Sequence, residues 1–66
     1  MLLDERRAAA RRYVETGRRI IESQQTLIAL LKQQKRSTTF AEGLLERFEQ
    51  SQAIFEEDLA RLAGAH

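Results

Sequence analysis

The sequence predicts an all-α fold: a helical hairpin of two antiparallel helices that dimerises into a four-helix bundle. Three observations carry that reading. Proline is absent while Ala, Leu, Glu, Gln and Arg abound, a composition that favours helix throughout. Apolar residues recur at alternating spacings of three and four in both halves of the chain, which is the period of a one-sided helix. A single cluster of small hydroxyl residues, Ser37-Thr38-Thr39, separates the two halves and reads as a turn.

The first helix is expected over about residues 3–35. Tyr13, Gly17, Ile20, Gln24, Leu27 and Leu31 follow the alternating spacing, and Val14, Ile21 and Ile28 repeat every seven residues beside them. The resulting stripe is wider than the seam of a two-stranded coiled coil, and a stripe that broad can touch more than one neighbouring helix. Lys32, Lys35 and Arg36 close this helix where the negative pole of its dipole favours cations. The turn is expected over about 36–38, although no glycine marks the end of the first helix.

The second helix is expected over about 39–63. Leu44, Leu45, Phe48, Phe55, Leu59 and Leu62 line one face, with Ala41 and Ile54 at its margins and Ser51 and Gln52 interrupting it. Thr39 followed by Glu42 matches the capping-box spacing, with Ser37 and Thr38 as alternative caps. Gly17 and Gly43 stand inside helical stretches, where each costs about 1 kcal/mol relative to alanine. At Gly17, on the stripe, a close approach between helices would compensate; Gly43 has no such reason.

Folding at residues 37–38 pairs Leu31 with Leu44, Leu27 with Phe48, Ile20 with Phe55 and Tyr13 with Leu62. This register also sets Gln24 beside Ser51 and Gln52, gathering the polar interruptions into one layer, and brings Arg18 near Glu57. Charge supports the pairing. Residues 1–36 carry nine Lys/Arg against four acids, and residues 37–66 carry two against six, so a basic helix faces an acidic one.

A chain of 66 residues with no cysteine forms one domain, 1–66, too small to hide two wide stripes by folding back on itself. The expected solution is a two-fold homodimer. Its interface and core would comprise Tyr13, Val14, Gly17, Ile20, Ile21, Gln24, Leu27, Ile28, Leu31, Leu44, Leu45, Phe48, Ser51, Gln52, Phe55, Leu59 and Leu62. The buried amides would fix register and oligomeric state at some cost in stability.

In topology the whole chain resembles the plasmid copy-number regulators of the Rop type, helical hairpins that dimerise into antiparallel four-helix bundles. Its pattern of Tyr13-Val14-x-x-Gly17, Ile20-Ile21, Gln24, Leu27-Ile28, Thr38-Thr39, Leu44-Leu45, Phe48-Glu49 and Asp58-x-x-Arg61-Leu62 is similar to that of a family of short, uncharacterised bacterial proteins. That resemblance implies a helical hairpin and no known activity. Histidines are frequent in the first helix of those proteins and absent from it here, so no metal is implied.

Three arginine pairs, Arg6-Arg7, Arg11-Arg12 and Arg18-Arg19, are the sharpest chemical feature. Arg11, Arg12, Arg18 and Arg19 point away from the stripe and could contact nucleic-acid phosphates, as the Rop resemblance also implies. However, Glu15 and Glu22 lie three and four residues from these arginines, which makes a salt-bridged, solvated face the simpler expectation. Glu56, Glu57 and Asp58 are consecutive and diverge by 100° steps on a helix, so they do not converge on one ion or substrate atom. No Glu-x-x-His pair, phosphate loop or serine–histidine arrangement is present, and His66 is terminal. Hence no enzyme, cofactor, metal or small-molecule substrate is expected.

The longest apolar run, Leu27–Leu31, is far short of the roughly 20 residues that span a bilayer. Acids follow the first leucines directly, unlike a signal peptide. A cytoplasmic protein-interaction module is the leading expectation: it binds itself first and helices of another protein second. A nucleic-acid-binding regulator is the alternative.

Overall fold

The computed structural model describes residues 2–64, so His66 lies outside the described residues. Two α-helices, α1 (Leu3–Gln33) and α2 (Thr39–Ala63), pack antiparallel along their length, and the described residues contain no strand. The molecule is a rod of 51 × 16 × 14 Å. Asp4 and Glu5 occupy the first turn of α1, where the positive pole of the helix favours them.

The turn explains why α1 stops at Gln33. Lys35 adopts a left-handed backbone with φ 56°. The Arg36 N–H donates to the Leu31 carbonyl at 2.9 Å and the Lys35 N–H to the Lys32 carbonyl at 3.0 Å. Those paired bonds are a Schellman motif, normally built around glycine. Here lysine takes the glycine position, which is why composition alone gives no sharp stop.

At the start of α2 the capping-box expectation is corrected. Thr38, not Thr39, is the N-cap residue, and it makes no side-chain cap hydrogen bond. The Thr39 N–H instead donates to Ser37 Oγ at 3.4 Å. Glu42, one position too far along to reach back to the cap, faces Lys32 across the hairpin at 3.9 Å.

Between the helices runs a seam with its own alternating spacing. In α1 it comprises Ala10, Val14, Gly17, Ile21, Gln24, Ile28 and Leu31; in α2 it comprises Ala41, Leu45, Phe48, Gln52, Phe55, Leu59 and Leu62. Val14, only 2% exposed, is the most deeply buried large side chain. The line that accompanied the expected stripe, Val14, Ile21 and Ile28, therefore faces α2. Tyr13, Ile20 and Leu27, placed at its centre by the sequence reading, are turned outward.

The expected register is corrected as well. Tyr13 stacks on Phe55 with ring centroids 5.6 Å apart, one heptad nearer the turn than Leu62. Leu62 instead presents its carbonyl to Arg7 Nε, which donates at 2.8 Å; a cation thus sits at the negative pole of α2. The Gln24 amide donates to the Ala41 carbonyl at 2.8 Å and the Gln52 amide to the Val14 carbonyl at 2.8 Å. Gln24 and Gln52 thus occupy different levels, Ser51 is exposed, and the single polar layer does not form. Along the ion-paired edge the register is nearly the expected one, with Arg18 at Glu56 instead of Glu57. The seam partners therefore shift toward the turn without a whole-heptad slip of the hairpin, and the contact between Gln52 and Gly17 marks the level of the seam.

Candidate interaction face

Residues seven apart lie on nearly one line of a helix, and the seam leaves each helix two flanking lines. On one flank of α1 stand Arg11, Arg18, Gln25 and Lys32; on the matching flank of α2 stand Glu42, Glu49 and Glu56. The structure brings these together: Arg18 is 3.7 Å from Glu56, rather than beside Glu57, and Lys32 is 3.9 Å from Glu42. Both pairs are solvated, so each contributes little, at most about 1 kcal/mol. Their consequence is geometric: the basic and acidic charges of the two helices meet along one edge of the rod.

The opposite edge is apolar. Tyr13, Ile20 and Leu27 are 60%, 42% and 42% exposed, and Leu30 beside them is 47% exposed. On the α2 side of this edge lie Leu44, Ser51 and Asp58, bordered by Phe40 and Ile54, which are 80% and 60% exposed. Charge is sparse here. Asp58 is held by Arg61 in an i,i+3 ion pair, and Arg6 and Arg47 complete the charged residues on these lines.

Toward the open end of the rod this face dips into a groove between the helices, floored by Ala9, Ala10 and Leu62 and walled by the Tyr13–Phe55 stack. The small side chains of Ala9 and Ala10 make the hollow. Arg6, Asp58 and Arg61 stand at its rim.

The residues expected at the interface divide accordingly. Val14, Gly17, Ile21, Gln24, Ile28, Leu31, Leu45, Phe48, Gln52, Phe55, Leu59 and Leu62 form the seam within the hairpin. Tyr13, Ile20, Leu27, Leu44 and Ser51 lie on the apolar edge. Phe40 and Leu30 belong to that edge but were missed by the sequence reading. Phe40 adjoins the turn and has no apolar neighbour seven residues on, yet its spacing of fourteen from Ile54 was a usable signal.

Arg11, Arg12, Arg18 and Arg19 are all exposed; Arg11, Arg12 and Arg19 gather around one shallow depression, and Arg18 turns to Glu56. Arg11 and Arg18 belong to the ion-paired edge, whereas Arg12 and Arg19 lie 100° further round the helix. Arg19 is 3.8 Å from Glu15, which lines the same depression. Glu56 turns to Arg18 and Asp58 to Arg61, so these two members of the acidic triplet point to separate partners. Among the described residues no helix is long and apolar enough to cross a membrane. No protein-family model, curated protein or solved structure matches this chain.

Proposed function

We propose that this chain is a structural, protein-interaction module, a helical hairpin that self-associates through the edge bearing Tyr13, Ile20 and Leu27. The observation that carries this reading is the separation of its two edges. Charges pair along one, and large apolar side chains stand in solvent along the other. An exposed apolar strip of this kind marks an interaction surface.

The surface area agrees. A compact monomer of 7.6 kDa exposes about 4,300 Å², whereas this rod exposes 5349 Å². The excess of roughly 1,000 Å² is close to the ~800 Å² that one partner contributes to a stable interface. A second hairpin laid on the apolar edge makes a Rop-like, homodimeric four-helix bundle. Helices of another protein would compete for the same edge. Nothing in this reading requires a catalytic step, a cofactor or a small-molecule substrate.

Sedimentation equilibrium over a range of concentrations tests the proposal. The wild-type chain is expected to dimerise. Ile20→Glu, which sets a charge in the middle of the edge without touching the seam, is expected to leave a helical monomer. A wild-type chain that stays monomeric at high micromolar concentration would refute self-association. A salt-sensitive gel shift lost on replacing Arg11, Arg12, Arg18 and Arg19 would favour the nucleic-acid reading instead.

A further inference from the structure

Phe40 and the groove are related by position as well as by shape. Ile20 and Ser51 lie close to one level of the rod, since Gly17 meets Gln52 and Arg18 meets Glu56 just beyond them. Phe40 stands eleven residues from Ser51 toward the turn. Ala9 and Leu62, in the groove floor, stand eleven residues from Ile20 and Ser51 toward the open end. Eleven helical residues span about 16 Å, so the most exposed large aromatic and the groove lie on one edge, equidistant from its middle.

Building on the self-association reading, we infer that a second copy of the chain docks antiparallel about a two-fold axis through the Ile20 level, so that Phe40 of each hairpin fills the Ala9–Ala10–Leu62 groove of the other. A two-fold contact must be self-complementary, and this arrangement provides two equivalent knob-and-groove contacts. The same axis sets Ile20 against its own copy and Tyr13 against the partner's Leu27. Charge favours the same choice. Each hollow carries Arg6 beside the Arg61–Asp58 ion pair, a net single positive charge at its rim. With both turns at one end those like charges face each other, whereas antiparallel docking separates them and gives each Arg6 an aromatic ring to cover, a cation–π arrangement.

The chain has no cysteine, which permits a direct test with single-cysteine variants and a short bis-maleimide. Ala9→Cys alone and Phe40→Cys alone are each expected to give little covalent dimer, whereas their equimolar mixture gives a strong crossed dimer. Phe40→Ala is expected to weaken dimerisation by about tenfold or more while leaving helicity unchanged. Efficient crosslinking of Phe40→Cys to itself, in a chain that sediments as a dimer, overturns the antiparallel geometry but leaves self-association standing. A chain that sediments as a monomer overturns both. Crossed crosslinking without any loss of affinity in Phe40→Ala keeps the orientation and overturns the knob-and-groove contact.

Discussion

Gln52 lies directly over Gly17. Its amide nitrogen donates to the Val14 carbonyl at 2.8 Å, and its side chain occupies the space that a Cβ at position 17 would need. Such a Cβ would overlap Gln52 Oε1 and come within 2.7 Å of its Cδ. A glycine in the middle of a helix and a glutamine in an apolar seam, each unfavourable alone, are therefore parts of one contact. That contact sets the register of the hairpin.

Replacing Gly17 exposes the dependence. Gly17→Ala improves helix propensity by about 1 kcal/mol, but the new methyl must displace Gln52. Overpacking of this kind costs about 1–3 kcal/mol, so net destabilisation is expected in urea unfolding. The double variant Gly17→Ala, Gln52→Ala relieves the clash and should recover much of the loss. Higher stability for Gly17→Ala alone would contradict the seating of Gln52.

Gln52 Oε1 is buried and accepts no hydrogen bond. A buried acceptor without a donor costs about 1–3 kcal/mol, and the bond that Gln52 donates goes to a carbonyl already inside a helix. Gln52→Met keeps the length of the side chain and removes both polar atoms. Thermal melting is expected to rise, by the equivalent of about 1 kcal/mol; a lower melting temperature would show that the donated bond outweighs the orphaned oxygen.

Lys35 occupies the glycine position of the Schellman turn, with φ 56°. A non-glycine residue in that conformation costs roughly 1–2 kcal/mol. Lys35→Gly should recover up to about 1 kcal/mol of this, less the greater freedom of glycine in the unfolded chain. Chemical denaturation with an unchanged m-value would report it.

Gly43 presents the opposite case to Gly17. A Cβ there meets nothing within 4 Å, and the backbone is helical. Gly43→Ala should therefore stabilise the hairpin by about 1 kcal/mol, without changing its oligomeric state. A drop in stability would mean that position 43 touches a partner.

The ion-paired edge should matter little to folding. Arg18 and Glu56 are more than half exposed or close to it, and pairs of this kind contribute within about 1 kcal/mol. Glu56→Gln is expected to shift the unfolding midpoint only slightly, and 1 M salt to mask the difference between the two chains.

The helical halves and their separation near Ser37 were legible in the chain because helix propensity and spacing are local properties. The surplus of apolar lines was legible too, and with it the existence of an unsatisfied edge. Which line would be spared was not. The lines of Val14 and Tyr13 are adjacent, equally regular and almost equally apolar, so either could face α2. Partner geometry made the choice: Gln52 fits only where Gly17 leaves room, and that seating turns Val14, Ile21 and Ile28 inward and Tyr13, Ile20 and Leu27 to solvent. Likewise, the turn around Lys35 came from backbone geometry that no residue type announces. Periodicity specifies which side chains share a side of a helix, whereas only a second helix at a definite height decides which side is covered.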